Sequence, residues 1–207
     1  NPASWCGVVG LRPTSGLIPH GPSNFPFFNL SVDGPMARNV EDLSIFLDAM
    51  VDHNKNDPLS SSKGASNSYY KNLLKREEAK YLIGFTDDFG IFPCDKEVRS
   101  MMHNTLKLVQ NLGHEISNTY PDMSKSEYCF QTLRAYMFYC TYKSLLKKDK
   151  SLIKEEVIWN INKAKAITID DLLEAEKARA GIYNDTMKFF DKFDFLIVPS
   201  SIVPPFN

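Results

Sequence analysis

The chain has 207 residues, 43% hydrophobic and 24% charged, a composition that excludes disordered, collagen-like and fibrous classes. Twenty-four Lys and Arg stand against 25 Asp and Glu for a formal charge of −1, so no broad basic footprint exists for nucleic acid or anionic lipid. No apolar run approaches the roughly 18–20 residues of a membrane span, and the first residues show neither a basic n-region nor an h-region. Neither nucleic acid nor a membrane is an expected partner.

Residues 1–38 carry closely spaced Pro and Gly, which interrupt helices and long strands, and the spacing predicts an irregular segment with one short strand over residues 7–11. Val40, Leu43, Phe46, Leu47, Met50 and Val51 then recur at helical spacing behind Asn39 as N-cap, predicting a helix over 40–51. A polar loop follows over 53–65, then a short helix over 68–78 and a buried strand over 81–86. Asp95 caps a helix carrying Val98, Met101, Met102, Leu106, Val109 and Leu112, which Gly113 stops, and residues 114–118 form the next strand. Strand, helix, strand at this spacing predicts a parallel βαβ unit. Helices are expected over 124–146 and 151–165, then a long one capped by Thr168 with Asp171 three residues on, reaching about Lys192, before a last strand over 195–198. The expected fold class is α/β, a mixed open sheet wrapped by helices, in one domain or the larger part of one.

Cys6, Cys94, Cys129 and Cys140 lie far apart and form no C-x-x-C pair, which reads as reduced thiols in a cytosol-like compartment. His20, His53, His103 and His114 lack metal-ligand spacing, so no metal site is expected, and His103 and His114 read as surface or satisfied histidines. Ser60-Ser61-Ser62-Lys63 matches S-x-x-K, but its Asp57-Pro58 and Gly64 flanks are loop composition, so a solvated loop is the expectation. Cys6, with His20 nearby in sequence, lacks evidence for a positioned base or an oxyanion hole and reads as a buried structural cysteine. Trp159 and the pair Phe27-Phe28 are the candidates for lining a substrate pocket, against the alternative that they are core aromatics. No G-x-S-x-G, P-loop or G-x-G-x-x-G occurs, and ten glycines leave little material for a glycine-rich loop. The residues alone assemble no catalytic constellation.

Two long motifs carry a resemblance. Pro2-Ala3-Ser4-Trp5-Cys6-Gly7-Val8-Val9-Gly10-Leu11-Arg12-Pro13-Thr14, followed by Gly34-Pro35-Met36-Ala37-Arg38-Asn39-Val40-Glu41-Asp42-Leu43, resembles the amidase signature family immediately after its nucleophile. Gly90-Ile91-Phe92-Pro93 with residues 95–99, Glu156-Val157-Ile158-Trp159-Asn160, and Phe195-Leu196-Ile197-Val198-Pro199 are similar to its stand-alone bacterial-type branch. The resemblance implies a Ser, a second Ser in a cis peptide and a Lys as catalytic triad, with the nucleophile three residues before Asn1 and the other two further upstream. None has a matching position in this sequence, so no catalytic residue is assigned. It also implies hydrolysis of a small-molecule amide without metal or organic cofactor, and the cysteine usage places the expected compartment in the cytoplasm.

The chain is therefore read as a single partial amidase domain over 1–207, with residues 1–38 the irregular post-nucleophile segment and 39–207 the α/β portion. The non-methionine start and the apolar end read as cuts through a longer protein. The remainder of the amidase domain is then its first partner, and a homodimer is left open. One rival is the glutamine-amidase subunit of glutamyl-tRNA amidotransferase. That branch carries a Tyr-Gly-x-Val-Ser type continuation after Pro-Thr, where this chain has Ser15-Gly16-Leu17-Ile18-Pro19. The other rival is a non-catalytic remnant acting as an interaction module.

Overall fold

The computed structural model describes residues 2–60, 79–147 and 150–205. The chain divides into two compact units, one holding the described residues up to Ala79 together with Pro205, the other running Lys80–Pro204.

The first unit opens with a short helix, α1 (Pro2–Cys6), then β1 (Val9–Gly10), β2 (Met36–Ala37) and α2 (Val40–Met50). The strand expected over 7–11 shrinks to two residues, because the segment before it coils instead. Pro2 stands at the first helical position, where a missing N–H and a fixed φ cost nothing, so the proline read as a breaker starts a helix. β1 and β2 pair antiparallel, Val9 opposite Ala37 and Gly10 opposite Met36, and the Leu11 amide donates to the Pro35 carbonyl at 3.1 Å. The two long motifs of the sequence are thus hydrogen-bonded to each other.

α2 starts as its sequence dictates. The Asn39 side chain accepts from the Asp42 amide at 2.8 Å and donates to the Asp42 carboxylate at 2.9 Å. Leu47 and Val51 pack with Ile18 as the buried core of this unit, flanked by Leu17 and Met50.

The second unit is built on three parallel strands, β3 (Leu82–Phe85), β4 (Glu115–Ser117) and β5 (Phe195–Ile197), in the order β4-β3-β5. Ile83 sits opposite both Ile116 and Phe195. Between β3 and β4 runs α3 (Lys96–Asn111), capped by Asp95, whose carboxylate accepts from the Glu97 amide at 2.8 Å. Gly113, at φ +91°, stands just past the helix end as expected. Val98, Met102 and Leu106 are its buried face. The expected strand–helix–strand unit is present, with its strands parallel.

From β4 to β5 the chain passes through α4 (Ser126–Tyr142), α5 (Glu155–Lys163) and α6 (Ile169–Phe190), and α4 packs against both α5 and α6. Ala175 and Ala178 are the small buried residues of α6. Two expected helices are shorter than the periodicity implied. The one over 124–146 ends at Tyr142 and tightens into a 3₁₀ turn, Lys143–Lys147; the one over 151–165 resolves into a 3₁₀ turn, Lys150–Leu152, then α5, then Ala164–Ala166. Lys143 and Lys147 stand four apart, a like-charge pair that opposes a continuing α-helix. The helix expected over 68–78 lies outside the described residues.

α6 begins with a full capping box. The Thr168 hydroxyl accepts from the Asp171 amide at 3.1 Å, and the Asp171 carboxylate accepts from the Thr168 amide at 2.8 Å. The Thr168 amide first, and then the Thr168 hydroxyl, which donates to the same carboxylate at 2.7 Å, hold the Asp171 carboxyl below its ordinary pKa. A lowered folded-state pKa contributes stability above the unfolded value that is lost as pH falls through the folded one. Thr168→Ala should therefore cost about 1 kcal/mol near neutral pH, and the penalty should shrink below about pH 4 as Asp171 protonates. Urea unfolding followed by helical circular dichroism, on both sides of that pH, checks it.

Candidate functional site

Each unit holds a cavity and a group of polar side chains that bear on function. In the first unit a cavity of about 30 Å³ is walled by Ile18, Phe25, Pro26, Phe28, Val32 and Leu59 on its apolar side and by Ser15, His20, Asn29, Ser31, Asp33 and Asp57 on its polar side. That volume holds water rather than an amide substrate. His20 Nδ1 lies 2.8 Å from the Asp33 carboxylate, and the Asp57 carboxylate accepts from the His20 and Leu59 amides at 2.8 and 2.9 Å. Phe28 lines this cavity and stacks on Phe25 with centroids 5.2 Å apart, whereas Phe27 is 71% exposed and does not line it.

Ser60 belongs to the same loop and serves its folding. Its hydroxyl accepts from the Asn54 amide at 3.0 Å, and its own amide donates to Asp57 O at 3.0 Å, the turn role expected from composition. Lys63, its partner in the S-x-x-K match, lies outside the described residues. Cys6 corrects an expectation: it is exposed, because α1 has no buried residue to carry it inward.

In the second unit, polar groups gather just beyond the carboxyl end of β3. Buried Thr86 accepts through Oγ1 from the Asp88 and Phe89 amides at 3.3 and 2.8 Å. Arg99, from α3, reaches Asp87 Oδ2 at 3.3 Å with one guanidinium nitrogen and Asp88 Oδ2 at 3.0 Å with the other. His103 Nε2 lies 3.0 Å from the same Asp87 oxygen. The Gly90 amide, more than Arg99, holds the Asp88 carboxyl below the usual carboxylate range, while burial pushes the nearby Cys94 thiol up. The Gly90–Arg99 motif thus clamps the turn after the central strand. His103 is satisfied as expected; His114 departs from expectation, since its Nδ1 is buried with no hydrogen-bond partner while its ring tilts against Tyr81 at 5.4 Å. Among the described residues no group of three or more His, Cys, Asp or Glu is arranged to hold a metal ion.

An open apolar pocket of about 480 Å³ in the second unit lies between α4 and the start of α5, lined among the described residues by Phe138, Tyr142, Leu145, Leu152, Ile153, Lys154 and Val157. Trp159 is not in this wall. It is 56% exposed, so it is not a core residue, and the Lys163 ammonium sits 5.0 Å over its ring. The buried polar member of its motif is Asn160, whose amide nitrogen donates to Glu156 O at 2.7 Å and whose oxygen accepts from Arg134 of α4. The wall residues escaped the sequence reading because Phe138 and Val157 come together only through the packing of α4 on α5. Helical spacing marks such residues as apolar and does not say whether they enclose space.

The family model described as Amidase matches residues 1–207, and the chain belongs to this family, that of the amidase signature enzymes. An acylamidase from Rhodococcus erythropolis is 26% identical over 96% of this chain and 42% of its own length. A glutamyl-tRNA(Gln) amidotransferase subunit from Thermodesulfovibrio yellowstonii is 28% identical over 100% of this chain and 47% of its own length. A bacterial aryl acylamidase of known structure superposes on 100% of this chain and 44% of its own with a TM-score of 0.83 at 18% identity, which establishes the shared fold. The chain spans less than half the length of these relatives. Among the described residues no helix is long and apolar enough to cross a membrane.

Proposed function

We propose that the chain is part of a cytoplasmic, stand-alone amidase that hydrolyses the C–N bond of a small carboxylic amide to an acid and an amine or ammonia. The family match across residues 1–207 carries this reading. Residues 1–207 form a single partial amidase domain whose first partner is the rest of that domain.

The catalytic Ser, the bridging cis-Ser and the Lys lie outside these residues, since none of the 207 matches them. The neutral Lys amine accepts a proton from the bridging Ser, which takes one from the nucleophile. The nucleophile's oxygen attacks the amide carbonyl, and backbone N–H groups hold the oxyanion. Collapse breaks the C–N bond as the leaving nitrogen takes a proton, and water hydrolyses the acyl-enzyme. The β1–β2 ribbon supports the segment following the nucleophile, while Trp159 contributes to substrate binding.

The test is an assay of the protein extended to include the triad, with anilides of increasing acyl size and with glutamine. Released aniline supports the reading; ammonia from glutamine alone would transfer the protein to the amidotransferase branch. The 207 residues by themselves should release neither. In the extended protein, Trp159→Ala should raise KM for bulky anilides by about fivefold or more with kcat within about twofold. An unchanged substrate profile would remove Trp159 from the site.

A further inference from the structure

Trp159 is more than half exposed, so packing alone does not fix its indole. What meets the ring is a charge. Lys163, one turn further along α5, holds its ammonium 5.0 Å over the ring centroid, within cation–π range. A lysine head ordinarily stays in water on a stem with many rotamers. Here it is tied down, because the Lys163 ammonium donates to Gln131 Oε1 of α4 at 2.9 Å.

The base beneath the ring is braced by the same helix. Three residues on from Gln131, Arg134 bonds to buried Asn160, whose amide nitrogen donates to Glu156 O. α4 thus holds α5 through Arg134 and the cation over the ring through Gln131. Lys163 covers one face of the indole, and the ring's exposure leaves area for a ligand. An exposed tryptophan without such a tether would lose rotamer freedom on binding, a cost that a ring already held avoids. We infer that Lys163 and Gln131 are positioning residues, which hold the Trp159 ring in the orientation in which it meets the substrate. The inference rests on the amidase reading above and on the place given there to Trp159.

The test is steady-state kinetics of the protein extended to include the triad, with a bulky anilide. It is joined to the fluorine resonance of 5-fluorotryptophan at position 159, assigned by its loss in Trp159→Phe. Lys163→Met keeps most of the stem and removes the charge. It should raise KM about two- to fivefold with kcat within about twofold, and move the resonance toward that of the free amino acid. Gln131→Leu should act in the same direction. Lys163→Arg, whose guanidinium also stacks on aromatic faces, should keep KM within about 1.5-fold of the parent. In a Trp159→Ala background, Lys163→Met should change KM less than about 1.5-fold, since the two act through one ring. An equal effect of Lys163→Met with and without the ring, an unmoved resonance, or a loss in kcat in place of KM would overturn the inference. A KM unmoved by Trp159→Ala overturns it too, while anilide cleavage keeps the amidase reading. An extended protein that cleaves no amide rejects that reading, and the positioning then stands or falls on the resonance.

Discussion

Gly84→Val is expected to destabilise the Lys80–Pro204 unit by about 3 kcal/mol or more. Gly84 is in β3, the middle strand, paired with Ser117 on one side and Leu196 on the other. A Cβ there would lie 2.5 Å from Phe189 Cζ and 2.5 Å from the Thr119 carbonyl oxygen. Neither neighbour can yield. Phe189 is 7% exposed and stacked on Phe193 at 4.6 Å, and the carbonyl is backbone. Relief requires α6 to lift from the sheet, and Val's second methyl aggravates the clash. The chain has two tryptophans, so Trp159 fluorescence in a Trp5→Phe background reports this unit's urea unfolding. A loss below about 1 kcal/mol would mean that the α6–sheet contact is looser than described.

Ile161→Ala should cost about 3–4 kcal/mol, while Trp159→Ala, two residues earlier on α5, should cost less than about 1. Ile161 is 0% exposed and its truncation leaves a void that braced helices cannot close, whereas Trp159 is more than half exposed. The contrast bears on function. A Trp159 variant that keeps its fold makes any change in KM attributable to substrate contact, and equal losses at the two positions would return Trp159 to the core. Helical circular dichroism against urea measures both variants.

What the sequence disclosed was local chemistry. Asn39, Asp95 and Thr168 each cap the helix that follows, because a cap needs only a side-chain oxygen and an amide two or three residues on. The parallel pairing of β3 with β4 was legible for a related reason: the helix between them closes the crossover within one stretch of chain. Failures came where a residue's meaning depends on what lies across from it. Pro2 looks like a breaker until its place at a helix start is known. Cys6 looks like core until α1 proves to have no buried face. In the Glu156–Asn160 motif the tryptophan drew attention, yet Asn160 is the residue at 4% exposure that ties α5 to α4. Neither pocket was legible, since each is lined by segments that meet only in the fold.

The family motifs acquire physical roles in the same way. The two long motifs of the first unit form one antiparallel ribbon, and the Gly90–Arg99 stretch closes an Asp87–Arg99–Asp88 clamp beyond the central strand. Both hold backbone in place. That fits the reading proposed above, in which the catalytic Ser, cis-Ser and Lys lie outside these residues, and it makes the origin of those groups the central question. Sequencing the coding DNA immediately before the codon for Asn1 answers it most directly. The account predicts an open frame encoding a Gly-Gly-Ser-Ile-Arg-like stretch that places a serine three residues before Asn1, with a second serine and a lysine further upstream. A start codon or an unrelated sequence at that point would contradict it and leave the amidase fold here as a non-catalytic module.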